Sequence, residues 1–124
     1  MAHDLSSRRA LIVDDEFLIA FEASMYELGF DVCNVASNEK DAKELAMSNP
    51  PDVAVIDVYL GGARTGIETA RWLKEVCDVP IVFVTAHSDD STLERIHDVV
   101  PGAPVLSKPV YRDTLAHAVS EAVH

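Results

Sequence analysis

The stretch that decides the fold is Val53-Ala54-Val55-Ile56-Asp57, in which four apolar residues run without interruption into a carboxylate. A strand with one solvated face alternates apolar and polar side chains, whereas a strand that is apolar at every position is covered on both faces. Strands of the second kind belong to parallel sheets with helices on each side. The stretch therefore predicts a central strand of an α/β sheet.

Similar short apolar runs occur along the whole chain, and each is followed by a helical pattern. The other candidate strands cover residues 10–13, 32–35, 81–84 and 105–106. Helical spacing of apolar side chains begins at Phe17, and Gly29 supplies a stop for that helix. Five strand–helix pairs in succession predict a doubly wound sheet of five parallel strands and five helices, whose ligands bind at the carboxyl ends of the strands.

Two helix starts can be predicted from short polar motifs. Ser37-Asn38 is expected to cap the second helix, which ends before Pro50-Pro51. Ser91-Thr92-Leu93-Glu94 has the spacing of a capping box, and this predicts a fourth helix that begins there with Leu93 on its inner side.

Length and charge limit the classes of protein to which the chain can belong. With 124 residues, it fits one domain spanning residues 1–124. Its formal net charge of −11 repels phosphate backbones and anionic lipid, so direct binding to nucleic acid or membrane is not expected. No apolar run is long enough for a membrane span, and the start of the chain lacks the apolar stretch of a signal peptide. A cytoplasmic location is expected.

Polar side chains follow four of the five predicted strands. Asp14 and Asp15, followed by Glu16, come after the first strand, Asp57 after the third, Thr85 after the fourth and Lys108 after the fifth. Because the carboxyl ends of parallel strands meet at one edge, these side chains are expected to converge. Any one of them alone is more simply a helix cap or turn residue, but their joint placement is harder to attribute to turns.

The convergent set has the chemistry of an aspartyl-phosphate site. Three carboxylates repel one another unless a cation relieves them, and oxygen ligands favour Mg²⁺ over zinc. The hydroxyl of Thr85 and the ammonium of Lys108 suit a phosphoryl group, which a carboxylate nucleophile would accept as an acyl phosphate.

These residues resemble the receiver domain of two-component response regulators, of the stand-alone, single-domain type. The matching stretches are residues 11–16, 53–57, 81–86 and 106–109. The resemblance implies a flavodoxin-like fold with strand order 2-1-3-4-5. It also implies that Asp57 is the phosphoacceptor, supplied by a histidine kinase or a histidine phosphotransfer protein. Asp15, Asp57 and the backbone carbonyl of Tyr59 would hold Mg²⁺ directly, with Asp14 acting mainly through water.

The resemblance also assigns the residues that would respond to the phosphoryl group. Thr85 would be the switch hydroxyl, and Lys108, whose bond to Pro109 is typically cis, would contact the phosphoryl group from the other side. The family usually carries Tyr or Phe where this chain has Val105, so the usual threonine–aromatic coupling does not carry over. The loop after Asp57 is one residue longer than the usual pattern.

Two bulky residues occupy positions that tune acyl-phosphate lifetime in this family. Tyr59 lies two residues after Asp57, and His87 lies two residues after Thr85. Our hypothesis is that they restrict the attacking water and lengthen the lifetime, although a histidine could instead orient that water. Two partly exposed rim residues without consequence are an equally good interpretation.

The sequence thus predicts a phosphorylation-dependent switch that acts through an unidentified protein target, since the chain carries no effector domain. We expect it to catalyse only its own phosphorylation and dephosphorylation. One alternative is a receiver piece of a longer protein. Others are a magnesium-dependent aspartyl-phosphate phosphatase or phosphotransferase, and a docking module that works without phosphate. Dimers in the family commonly use the fourth helix, fifth strand and fifth helix.

Overall fold

Five strands and five helices alternate in the computed structural model, which describes residues 8–15, 19–61, 63–86 and 89–123 and, for 19–21, the backbone alone. The elements are β1 (Arg9–Val13), α1 (Ile19–Glu27), β2 (Val32–Ala36), α2 (Glu39–Ser48), β3 (Val53–Asp57), α3 (Thr65–Cys77), β4 (Ile81–Thr85), α4 (Asp90–Val99), β5 (Val105–Ser107) and α5 (Arg112–Val123). The strands pair in parallel in the order β2-β1-β3-β4-β5. The predicted doubly wound, flavodoxin-like sheet is confirmed.

Both faces of the sheet are covered, because successive side chains of a strand point to opposite sides. Helices α2, α3 and α4 cover one face, where the strands contribute Leu11, Val13, Ile56 and Phe83. Helices α1 and α5 cover the other face, where the strands contribute Ala10, Ile12, Val55 and Val84. Two apolar layers on one sheet explain why the central strands are apolar at every position.

The predicted boundaries of α1 and α2 agree with the structure where it describes them. Gly29 adopts a φ of +98° just after α1, a conformation that favours glycine. Phe17, where the helical pattern begins, lies outside the described residues. Asn38 is the N-cap of α2, and its side chain accepts a hydrogen bond from the amide of Asp41 at 2.8 Å.

The predicted start of α4 is wrong by two residues. Asp89, not Ser91, is the N-cap, and its carboxylate accepts a hydrogen bond from the amide of Thr92. The buried stripe of the helix consequently contains Thr92 and Ile96, while Leu93 is 38% exposed. An aspartate three residues before a threonine fits a cap as well as the serine did, so local spacing alone did not discriminate between them.

Among the described residues, no helix combines the length and the apolar character that crossing a membrane requires.

Candidate functional site

Strand register brings the predicted carboxylates together at the carboxyl edge of the sheet. Because Val13 of β1 pairs with Ile56 of β3, the residues that follow them, Asp14 and Asp57, lie side by side. Thr85 ends the neighbouring strand β4 and is fully buried. The backbone of three adjacent strands therefore positions three of the predicted site residues.

Lys108 joins the two buried carboxylates. Its Nζ lies 3.0 Å from Oδ2 of Asp57 and 3.3 Å from Oδ2 of Asp14. The side chains of Asp57 and Asp14 are 6% and 1% exposed, and that of Lys108 is 16% exposed. The amide of Lys108 donates to the carbonyl oxygen of Thr85 at 2.8 Å, and the peptide bond to Pro109 is cis. A buried cation thus partly balances two buried anions, which would otherwise repel each other.

A third carboxylate completes an acidic group that could hold a metal ion. One oxygen each of Asp14, Asp15 and Asp57 lies within 4.8 Å of the others. Asp15 is exposed, and its Oδ2 accepts a hydrogen bond from the amide of Gly61 at 2.8 Å. Three carboxylates and the ammonium of Lys108 carry a formal charge of about −2, which a hard divalent cation with oxygen ligands would offset. The residues present therefore fit such a cation.

The loop between β3 and α3 is held against the site by a glycine. The amide of Gly66 donates to the carbonyl oxygen of Val58 at 3.0 Å. A Cβ on Gly66 would lie 1.9 Å from the carbonyl oxygen of Asp57, closer than any real side chain approaches. Only glycine allows the start of α3 to sit this close to the end of β3.

Tyr59 connects the predicted phosphoacceptor to the start of α4. Its amide donates to Oδ1 of Asp57 at 3.1 Å, and its hydroxyl lies 3.1 Å from Oγ1 of Thr92. Thr92 in turn donates to Oδ1 of Asp89 at 2.8 Å. This hydrogen bond is the main reason why the pKa of the Asp89 carboxyl is lowered from its ordinary value. Arg64 adds a longer contact, with Nη1 3.4 Å from Oγ of Ser91.

The remaining predicted residues have mixed outcomes. Val105 is half-buried and packs against the apolar cluster beneath α2, α3 and α4. Glu16 and His87 lie outside the described residues. Sequence reasoning did not identify Asp89, Thr92 or Arg64 as neighbours of the site. The three-residue spacing of Asp89 and Thr92 was the available signal, but the capping pattern at Ser91 obscured it.

Comparison with known proteins agrees with this geometry. The family model described as "Response regulator receiver domain" matches residues 10–120. The transcriptional regulatory protein PdtaR of Mycobacterium tuberculosis is 34% identical over 118 residues, which are 94% of this chain and 57% of that protein. This chain therefore spans little more than half the length of that relative.

Two solved structures extend the comparison to the fold. The receiver domain of a modulated diguanylate cyclase from Desulfovibrio desulfuricans is 36% identical with a TM-score of 0.84, and the match covers 96% of this chain and 95% of that one. A response regulator receiver protein from Sinorhizobium medicae is 29% identical with a TM-score of 0.81 and covers 96% of each chain. With the family model matching residues 10–120, these likenesses show that the chain belongs to the receiver domain family of two-component response regulators.

Proposed function

We propose that this receiver domain is a phosphorylation-dependent switch in which Asp57 accepts a phosphoryl group from a phosphohistidine. The donor would be a histidine kinase or a histidine phosphotransfer protein. The observation that carries the proposal is the position of Lys108, whose ammonium contacts Asp57 and Asp14 at the edge where the three carboxylates meet. Phosphoryl transfer depends mainly on positioning and charge neutralisation. The strand ends hold these residues in position, and Lys108 supplies positive charge beside Asp57.

The reaction would proceed by attack of a carboxylate oxygen of Asp57 on phosphorus. A new O–P bond forms as the P–N bond to the donor imidazole breaks, and the electron pair of that bond remains on the imidazole. Lys108 would hold Asp57 before the reaction and donate to a phosphoryl oxygen during it. Thr85, at the end of the adjacent strand, would donate its hydroxyl to another phosphoryl oxygen.

Mg²⁺ is the proposed cofactor, held by Asp15, Asp57 and the backbone carbonyl of Tyr59, with Asp14 acting mainly through water. When bound, it supplies positive charge that offsets the carboxylates and the phosphoryl oxygens. The acidic group of Asp14, Asp15 and Asp57 supports this assignment, because its oxygens lie within 4.8 Å of one another. Tyr59 and His87 stay our candidates for setting the lifetime of the phosphorylated state.

The direct test is intact-mass spectrometry after incubation with acetyl phosphate, with and without Mg²⁺. We expect the wild type to gain one phosphoryl group only when Mg²⁺ is present, and Asp57→Asn to gain none. Asp78→Asn makes the same chemical change at an exposed aspartate and should behave as the wild type. Uptake by Asp57→Asn, or none by the wild type from either acetyl phosphate or a panel of phosphorylated histidine kinases, would contradict the proposal.

We also propose that the chain turns over no small substrate and acts in the cytoplasm through a protein target. The half-buried Tyr59 supports this view, since an aspartyl-phosphate phosphatase normally carries a general acid two residues after its nucleophile. Steady hydrolysis of p-nitrophenyl phosphate that is lost in Asp57→Asn would favour the phosphatase alternative. A partner that binds the wild type and Asp57→Ala equally, with and without acetyl phosphate, would favour the docking alternative.

A further inference from the structure

One chain of hydrogen bonds runs from the phosphoacceptor to helix α4. It begins with the amide of Tyr59, which donates to Asp57, and continues through the hydroxyl of Tyr59 to Thr92 and Asp89. We call the part formed by Tyr59, Thr92 and Asp89 the α4 tether. Its members come from the loop after β3 and from the start of α4, so the tether joins two segments that strand pairing does not connect.

The direction of each hydrogen bond in the tether follows from donor counting. A threonine hydroxyl has one proton, and Thr92 gives it to the carboxylate of Asp89 at 2.8 Å. An aspartate carboxylate is ionised at neutral pH and can only accept, and the hydrogen bond from Thr92 lowers the pKa of Asp89 further. Towards Tyr59, Thr92 can therefore only accept, as it does from Nη1 of Arg64 at 3.5 Å, and the tyrosine hydroxyl is the donor.

The burial of Thr92 couples the tether to the position of the helix. The threonine is fully buried, and a buried hydroxyl is costly when its hydrogen bonds are weakened. It lies on the inner stripe of α4 together with Ile96. A displacement of the Tyr59 hydroxyl would consequently change the stability of the first turn of α4.

Phosphorylation changes the other end of the same connection. The Tyr59 amide donates to Oδ1 of Asp57 in the unmodified protein. When the other carboxyl oxygen forms the bond to phosphorus, Oδ1 becomes the neutral carbonyl oxygen of an acyl phosphate, and the negative charge lies on the phosphoryl oxygens. Hydrogen bonds to charged acceptors are roughly twice as strong as those to neutral ones, so the hold of Asp57 on Tyr59 weakens. The family usually transmits phosphorylation through a Tyr or Phe at the position of Val105. Valine has no ring that could rotate in response.

From this geometry we infer that the Tyr59–Thr92 hydrogen bond carries the signal of phosphorylation to α4, in place of the usual threonine–aromatic pair. Thr92 is then a positioning residue for the switch. The inference rests on the proposed function, because it requires a phosphoryl group on Asp57.

The test uses beryllofluoride with Mg²⁺ as a phosphoryl analogue and amide hydrogen exchange in the first turn of α4 as the readout. The amide of Leu93 is a suitable probe, since it donates to the carbonyl oxygen of Asp89 at 3.0 Å. In the wild type, we expect the analogue to speed exchange at this amide roughly fivefold, the effect of one hydrogen bond of ordinary strength. In Thr92→Val, exchange should already be fast and should no longer respond to the analogue.

Two variants control for a merely structural effect. Thr92→Ser retains the hydroxyl and should respond as the wild type. Thr69→Val removes another fully buried hydroxyl, one that donates within α3 to the carbonyl oxygen of Thr65, and should also respond as the wild type. Thermal unfolding of each variant establishes that it is folded.

The outcomes separate this inference from the proposed function. Fluorine NMR reports whether the analogue binds. If it binds and Thr92→Val still shows the wild-type response, or if wild-type α4 does not respond, the inference is wrong while the phosphorylation site stands. If the analogue does not bind the wild type, and neither acetyl phosphate nor the panel of phosphorylated histidine kinases adds a phosphoryl group, both proposals are wrong.

Discussion

The acidic edge, formed by Asp14, Asp57 and Lys108, and the α4 tether are joined by the hydrogen bond from Tyr59 to Asp57 but are built differently. The residues of the acidic edge follow directly from strand register, and its carboxylates are almost completely buried. The tether consists of side chains contributed by a loop and a helix start, and Asp89 at its end is exposed. The proposed phosphoryl transfer requires fixed distances, and its residues lie at the ends of sheet strands. The proposed conformational response involves the start of α4, whose position depends on a few hydrogen bonds.

This difference predicts a ranking of mutational effects. A change in the acidic edge either displaces strand backbone or removes the cation beside a buried carboxylate. Both are expected to lower the free energy of unfolding strongly. A change in the tether alters one or two hydrogen bonds whose net contribution is about 1 kcal/mol each. Three substitutions test the ranking from the most to the least destabilising.

The largest effect is expected from Gly66→Ala, at the junction of the two regions. The added Cβ would meet the carbonyl oxygen of Asp57 at 1.9 Å, and backbone cannot move away as a flexible side chain can. We expect the free energy of unfolding in urea to fall by about 3 kcal/mol.

Gly102→Ala is the matched control for Gly66→Ala. Gly102 has a φ of +82° but nothing within 4 Å of an added Cβ, so the cost there is backbone strain alone, about 1–2 kcal/mol. If the free energy of unfolding fell equally in the two variants, the close approach at Gly66 would not add to the cost of a side chain there.

The next effect is expected from Lys108→Met, which removes the cation of the acidic edge. Asp14 and Asp57 would then lie side by side in a buried site without the ammonium of Lys108. Removing one partner of a fully buried pair costs about 3–5 kcal/mol, but Lys108 is 16% exposed, so we expect the free energy of unfolding to fall by about 2–3 kcal/mol in the absence of divalent cations. Phosphoryl uptake from acetyl phosphate should fall as well.

Lys74→Met is the control for the loss of a lysine. Its Nζ pairs with Asp78 at 3.8 Å, and both side chains are well exposed, so the expected loss is below about 1 kcal/mol. If Lys108→Met lowered the free energy of unfolding no more than Lys74→Met, then Lys108 would not be what offsets the repulsion between Asp14 and Asp57.

The acidic edge could be predicted from the sequence because its geometry depends on backbone pairing. Apolar runs identified the strands, and the residues directly after them met at one edge as parallel pairing requires. Neither the loop conformation nor the helix start enters that argument. The prediction of Asp14, Asp57 and Lys108 as neighbours therefore needed only strand positions that were correct to within one residue.

The α4 tether could not be predicted in the same way. Its central contact joins Tyr59 and Thr92, which are 33 residues apart and lie on no shared strand register. Their meeting depends on the path of the loop after β3, which Gly66 fixes by close approach, and on a helix that starts at Asp89 instead of Ser91. An error of two residues in one helix start was enough to remove Thr92 from the expected site.

The smallest effect is expected from Asp89→Asn, which isolates the charge of the tether. Asparagine can still cap α4 and accept from Thr92, so the variant differs mainly in lacking an ionised acceptor. The pKa of Asp89 is lowered in the folded protein, chiefly by the Thr92 hydroxyl, so its carboxylate stabilises the fold above the unfolded pKa of about 3.8. That stabilisation is lost as the pH falls through the lower folded value.

Urea unfolding at several pH values measures this charge effect. The wild type should be more stable than Asp89→Asn at pH 7, and the difference should shrink as the pH falls below about 4. Asn38→Ala provides a comparison at the N-cap of α2, where the capping side chain itself carries no charge and the expected loss is about 1 kcal/mol. A difference between wild type and Asp89→Asn that stayed constant with pH would mean that Asp89 serves only as a cap.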